Sequence, residues 1–198
     1  IEDADGGNDT IVIATSNQNP NFSLLSFANF ENMTIGYDSS IQTNAWGSEL
    51  ANVLIGSRTN NDIYGGEGND ILYDGPGTNP YRTQWDSDRL FGGAGDDTLW
   101  TKGDQGSDTL DGGIGNDVMY LGGGGYRTVI FGRGYQSDTV WYGNSQAYVV
   151  MNDVTIGDAL LTRSDKDLRL SVTGTDDQLT WKNFFTDATS TVHSGNLG

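Results

Sequence analysis

A short phrase of glycine and aspartate recurs along this chain in fixed phase. Gly65-Gly66-Glu67-Gly68-Asn69-Asp70-Ile71-Leu72-Tyr73 returns as Gly92-Gly93-Ala94-Gly95-Asp96-Asp97-Thr98-Leu99-Trp100 and as Gly112-Gly113-Ile114-Gly115-Asn116-Asp117-Val118-Met119-Tyr120. Gly103-Asp104-Gln105-Gly106-Ser107-Asp108-Thr109-Leu110-Asp111 departs from that pattern only at its second position. Glycine reaches backbone conformations that other residues adopt only at a cost, and it lets one chain approach another closely. A turn held open in this way points several carbonyl oxygens at one centre, and the aspartate at the sixth position adds a charged oxygen. Calcium takes about six to eight such oxygens at roughly 2.3–2.6 Å. A merely solvated acidic surface would need no such phase between glycine and aspartate.

The elements that hold these groups follow from the same phrase. Its first six residues form a turn and its last three a short strand whose apolar residue, at the eighth position, faces inward. Successive turns then fall on opposite sides of a solenoid, and an ion lies between a turn and the next but one. Asp70 to Asp88 is 18 residues, two repeats; Asp88 to Asp108 and Asp97 to Asp117 are each 20, two repeats plus the inserted Thr101-Lys102. From Gly47 the frame can be counted without a gap to Trp100. Residues 47–55 and 56–64 keep Leu54 and Ile63 at the eighth position but carry Asn52 and Asn61 at the sixth. Asparagine stacks and hydrogen-bonds like aspartate without the charge, so these coils are predicted to be metal-poor. Residues 74–82 and 83–91 have lost most glycines yet keep Asn79 and Asp88 in phase. A loop bulge around residues 76–81 is the competing reading, favoured by Pro80 inside a would-be strand. Past Tyr120 the frame slips by one residue at Leu121, and residues 122–130 put Arg127 where aspartate belongs. Either its guanidinium replaces an ion's charge beside Asp108, or it is a copying error tolerated at the array's end. Residues 133–141 restore Asp138.

Composition sets the bounds. The 198 residues make one domain, or one elongated array with caps. A net charge of −17 argues against nucleic acid and anionic membrane as partners. The acids are 23 Asp against 4 Glu, and short aspartate suits turns and metal loops. Hydrophobic residues at 35% and 29 glycines suit a narrow core shared between stacked coils. No apolar run is long enough to span a bilayer, and no signal peptide is visible. The chain opens at Ile1 without Met, which predicts a monomeric module of something longer. An enzyme is not expected: the sole His193 lies in a polar tail, and there is no Cys nucleophile or G-x-S-x-G elbow. Paired carboxylates act on polysaccharide in some proteins, but here the aspartates are accounted for as metal ligands.

The strand residues at positions seven and nine should point outward, and they are unusually apolar. One face gathers Val53, Ile55, Ile71, Tyr73 and Phe91; the opposite face gathers Tyr64, Arg82, Trp100, Val118 and Tyr120. They form either a stacking platform for sugar rings or a protein-docking surface, or they are covered by flanking segments in residues 10–40 and 145–185.

Written as G-G-x-G-x-D-x-U-x with U apolar, the phrase resembles the calcium-binding repeat of the RTX (repeats-in-toxin) family of secreted bacterial proteins. Ala28-Asn29-Phe30-Glu31-Asn32-Met33-Thr34-Ile35 resembles the lead-in to such arrays, and Phe131-Gly132-Arg133-Gly134 their usual end. Residues 168–185 are similar to the haemolysin-type calcium-binding-related segment that follows them; strands are expected at 160–163, 168–172 and 179–181. The resemblance implies an all-β fold, a right-handed parallel β-roll with an N-terminal β cap and a C-terminal β-hairpin cap. It divides the chain into capping coils at 1–46, the repeat roll at 47–141, a β cap at 142–185 closed by Trp181, Phe184 and Phe185, and a tail at 186–198. It also implies Ca2+ as the bound ion, export by type I secretion machinery, folding outside the cell and a scaffold role. The alternative is an adhesion module for glycan or a host surface.

The resemblance further implies a ligand set. An ion takes the sixth-position Asp with the carbonyls of positions two and four from one repeat. The next repeat but one gives its sixth-position Asp and the carbonyls of positions one and three. One row would then use Gly66, Gly68 and Asp70 with Thr83, Trp85 and Asp88, and next Gln84, Asp86 and Asp88 with Gly103, Gln105 and Asp108. The other row would use Gly93, Gly95 and Asp97 with Gly112, Ile114 and Asp117. A further site would pair Gly75, Gly77 and Asn79 with Gly92, Ala94 and Asp97.

Overall fold

A three-residue strand with one inward apolar side chain has nothing to bury it against, so such strands persist only by stacking on their like. The computed structural model, which describes residues 7–13, 21–27, 29–36, 42–75, 86–102, 106–142 and 146–185, shows that stacking. One sheet runs β1 (Thr10–Ile13), β3 (Asn32–Ile35), β5 (Val53–Ile55), β7 (Ile71–Tyr73), β9 (Thr98–Thr101), β11 (Val118–Leu121) and β13 (Ser137–Tyr142), all parallel. The other runs β2 (Asn21–Ser23), β4 (Asn44–Trp46), β6 (Asp62–Glu67), β8 (Arg89–Ala94), β10 (Ser107–Ile114), β12 (Tyr126–Gly132) and β14 (Gln146–Asn152), also parallel. The chain alternates between the sheets, so each strand pairs with the next but one. This is the parallel β-solenoid expected of the repeats. Its core is a narrow double file: Leu54, Leu72, Leu99, Met119 and Val140 from the first sheet, with Ile63, Leu90, Leu110 and Val129 from the second, all wholly buried.

Both ends continue the sheets instead of folding back over them. At the N-terminal end β1 and β2 are the last strands of their sheets, and a 3-10 turn at Leu24–Ser26 lies between β2 and β3. At the other end β15 (Ala159–Ser164), β16 (Asp167–Val172) and β17 (Gln178–Lys182) form an antiparallel meander whose β17 joins β13 in parallel. Trp181 and Phe185 are buried there, while Phe184, expected inside, is 44% exposed. The expectation that these flanking segments cover the outer faces does not hold for their described parts, because strands hydrogen-bonded edge to edge cannot also lie face to face. No helix among the described residues is long and apolar enough to cross a membrane.

The register departs from the gapless count at one place. From β5 to β7 the step is 18 residues, Val53 against Ile71, as two nine-residue repeats require. From β7 to β9 it is 27, Ile71 against Thr98, and from β6 to β8 it is again 27, Ile63 against Leu90. The connection from β7 to β8 therefore carries nine residues more than a coil needs, and among the described residues no strand between Tyr73 and Arg89 pairs into either sheet. The surplus of nine residues agrees with the bulge reading and not with the gapless count. Residues 76–85, Pro80 among them, lie outside the described residues.

This shift re-sorts the outer faces. Phe91 stands not with Tyr73 but beside Tyr64, in a stack Trp46–Tyr64–Phe91 with centroid separations of 5.4 and 4.8 Å. On the other sheet Tyr73, Trp100, Tyr120 and Trp141 form a second stack, closest at Trp100–Tyr120, 3.7 Å and 10° from parallel. The ring faces are turned toward neighbouring rings along the solenoid, so the ladders act as cross-strand ties. Trp100→Ala removes contacts with two rings; at about 0.5–1.5 kcal/mol per aromatic pair, a loss of about 1–3 kcal/mol is expected in urea unfolding of the calcium-loaded protein.

Candidate metal centre

The turns stack as regularly as the strands. On one edge of the solenoid, turns 47–52, 65–70, 92–97, 112–117 and 133–138 lead from the second sheet into the first. Their sixth-position side chains form a ladder in which each Oδ1 accepts the sixth-position N–H of the turn before it. Asp70 accepts from Asn52 at 2.7 Å, Asp97 from Asp70 at 2.7 Å, Asp117 from Asp97 at 2.7 Å and Asp138 from Asp117 at 3.0 Å. The opposite edge repeats the arrangement, with Asp88 accepting from Asn61 at 2.6 Å and Asp108 from Asp88 at 2.9 Å. Asp88 is thus on the edge opposite Asp70, and the expected site joining Gly66, Gly68 and Asp70 to Thr83, Trp85 and Asp88 is not formed. Nor is the one joining Gly75, Gly77 and Asn79 to Gly92, Ala94 and Asp97, because Gly75 packs on the Ser57 carbonyl of the other edge. The surplus nine residues account for both corrections. Instead the turn with Gly66, Gly68 and Asp70 stacks directly on the turn with Gly92, Ala94 and Asp97.

Glycine is required where the turns touch. Gly93 and Gly95 have φ of +114° and +129°, and a Cβ on either would overlap the carbonyl oxygen of Gly66 or Gly68. A Cβ on Gly65, Gly92 or Gly112 would instead strike the Oδ2 of Asp70, Asp97 or Asp117 in the same turn. At Gly65 that spot is also approached by the Gly92 carbonyl oxygen, and at Gly92 by the Gly112 carbonyl oxygen, each 2.5 Å from where the Cβ would stand. Carboxylate and carbonyl oxygens thus gather there with no room for a methyl group.

Those carboxylate oxygens are the chemical signature. Oδ2 of Asp70, Asp97, Asp117 and Asp138 is buried and accepts no hydrogen bond. Burial, countered only in part by the backbone N–H on Oδ1, pushes the carboxyl of Asp70 up to about 7, Asp97 to about 8, Asp117 to about 6 and Asp138 to about 8. Neighbouring aspartates add to the rise, Asp117 acting on Asp97 and on Asp138. A buried anion left without a partner is expensive; a cation between the turns removes that cost. Among the described residues no three His, Cys, Asp or Glu side chains converge so that they alone could hold a metal ion. An ion here would therefore draw two carboxylates and otherwise backbone carbonyls, a hard oxygen set that fits calcium and not zinc.

Residues 46–79, 83–101 and 102–126 match the RTX calcium-binding nonapeptide repeat, in four copies. Residues 46–126 carry RTX repeats. No curated protein matches the chain. In the RTX array the residues that fit calcium are Gly93, Gly95 and Asp97 with Gly112, Ile114 and Asp117, as the repeat's ligand scheme implies, and Gly66, Gly68 and Asp70 with Gly92, Ala94 and Asp97. On the second edge Asp86 and Asp88 lie against Gly106 and Asp108, while Gln84, Gly103 and Gln105 fall outside the described residues, as do Gly77, Asn79, Thr83 and Trp85. Asp138 was not among the expected ligands, although its place at the sixth position of residues 133–141 was legible; it extends the first row by one more carboxylate.

The early asparagines solve the same packing problem without an ion. Asn52 Oδ1 accepts the Ser48 N–H at 2.6 Å and its amide donates to the Glu31 carbonyl at 3.0 Å. Asn61 does likewise with the Ser57 N–H, 2.6 Å, and the Thr43 carbonyl, 2.5 Å. The amide N–H group supplies the positive end that an aspartate must obtain from a cation.

Proposed function

We propose that this array is the calcium-folded scaffold of a longer secreted or cell-surface protein, passed through type I secretion machinery as an open chain and stiffened outside the cell by millimolar calcium. One observation carries this reading: the row of buried, unpartnered Oδ2 atoms on Asp70, Asp97, Asp117 and Asp138. Such a stack is self-repelling without a cation, and its sites do not exist in the open chain, so ion binding becomes folding free energy. The repeat roll at 47–141 is the part that folds on calcium, flanked by coils at 1–46 and by a β cap at 142–185 that seal its ends. The adhesion alternative gains nothing from the aromatic ladders, whose ring faces are spent on one another.

Calcium against magnesium is the test. Titration of the chelated protein with calcium should restore a β-type circular dichroism signal in a cooperative step, with ion binding by calorimetry over the same range. Magnesium at equal concentration should do neither, since it holds its waters and demands near-octahedral geometry. A chain that folds equally well in magnesium, or binds no calcium, refutes the reading.

A further inference from the structure

The second edge ends differently from the first. Where the first edge continues to Asp138, the second places Arg127 at the sixth position directly opposite Asp108 in the β10–β12 register. Its side chain is wholly buried. Nε lies 3.0 Å from Asp108 Oδ2 and donates to Thr101 Oγ1 at 3.1 Å; Nη1 donates to the Gly106 carbonyl at 3.0 Å and to the Tyr126 carbonyl at 3.1 Å. Gly106 and Asp108 are the fourth and sixth positions of their repeat. Their oxygens, a backbone carbonyl and a carboxylate, are the kind the ligand scheme assigns to an ion on this side of the interval. The family match stops at residue 126, one short of the arginine.

We infer that the Arg127 guanidinium stands in for a calcium ion beside Gly106 and Asp108, so that the second row ends in a covalently tethered cation. This inference rests on the calcium reading above. A guanidinium is always charged, presents a fixed fork of donors and is weakly hydrated, which suits it to a buried carboxylate. Buried without such partners it would be too costly to keep. Asp108 is thereby neutralised on its Arg127 side at every calcium concentration, whereas Asp97 and Asp117 are not. Among the described residues the array accordingly holds three kinds of sixth position: amide-closed at Asn52 and Asn61, ion-closed at the aspartates, and arginine-closed at Arg127.

Arg127→Asp tests this, because residues 122–130 then have both the glycines and the acidic sixth position of a full repeat. Calorimetry and equilibrium dialysis with calcium should count one more ion per chain than in the wild type. Arg127→Asn, which copies the amide solution of Asn52, should leave the count unchanged. An Arg127→Asp chain that is folded by circular dichroism yet binds the wild-type number of ions overturns the inference. So does one that does not fold at saturating calcium, since the turn would then be unable to house the ion. A wild-type chain that binds no calcium would sink the proposed function itself, a result distinct from either.

Discussion

In EDTA at pH 8 the chain is expected to lose most of its β-sheet signal, and in EDTA at pH 5 to keep much of it. The sign follows from the carboxyls of Asp70, Asp97, Asp117 and Asp138, raised by burial to between about 6 and about 8. An open chain releases these protons near pH 4, whereas the stacked turns hold them up to the higher values. Between those limits the folded state binds more protons than the unfolded one, so calcium-free stability is greatest at the acid end and falls as pH rises. Self-repulsion in a chain of net charge −17 acts in the same direction. Calcium reverses the balance by taking the place of the protons; each ion present at a hundredfold excess over its Kd adds about 2.7 kcal/mol. The calcium concentration for half-folding should therefore rise as pH climbs from 6 to 8, because the calcium-free fold that protons sustain at the acid end is lost over that range. Far-ultraviolet circular dichroism across a pH and calcium grid measures both trends. Equal order at pH 5 and pH 8 in EDTA would show that the buried carboxylates do not govern folding.

Asp97→Ala should be the most damaging single substitution at an aspartate. Asp97 lies in the middle of the first row, so one carboxylate serves the interval toward Asp70 and the interval toward Asp117. Removing it strips a charged ligand from two ion sites and leaves the Asp70 N–H buried without its acceptor, which alone costs about 1–3 kcal/mol. Calcium-dependent folding should shift to at least tenfold higher calcium or be lost. Asp97→Asn keeps an acceptor for that N–H and supplies an amide like that of Asn52, so it should fall between wild type and alanine while weakening the calcium requirement. Asp165→Ala, in the exposed turn after β15, is the control and should leave the midpoint unchanged. If the alanine variants at 97 and 165 titrate alike, the row of aspartates is not where calcium acts.

Much of this molecule could be read before any coordinates. The alternation Ile71-Leu72-Tyr73 announces a strand with its middle residue inward, and Leu72 is wholly buried. The glycine–aspartate phase announces a turn for oxygen coordination, and Gly93, Gly95, Asp97, Gly112 and Asp117 are brought together as that phase implies. Both are local properties, written within nine residues. What the sequence left open was which turn rests on which. A surplus of one whole repeat keeps every later residue in phase, so counting cannot tell a coil from a bulge of equal length. Only strand pairing can, and it sets Asp70 on Asp97, Asp88 on Asn61 and Phe91 beside Tyr64.

Arg127 follows the same division. Its place at the sixth position is visible as a departure from the motif, but its meaning is not, because an arginine there could equally have pointed to solvent. The tertiary structure decides it by closing four oxygen contacts around a buried guanidinium. Periodicity, composition and the choice of turn residue thus belong to the chain as written, since each is enforced by the backbone geometry of a single repeat. Register, the partner of each carboxylate and the direction of each outer ring belong to the stack, since they depend on contacts between residues 18 to 27 positions apart, which no single repeat contains.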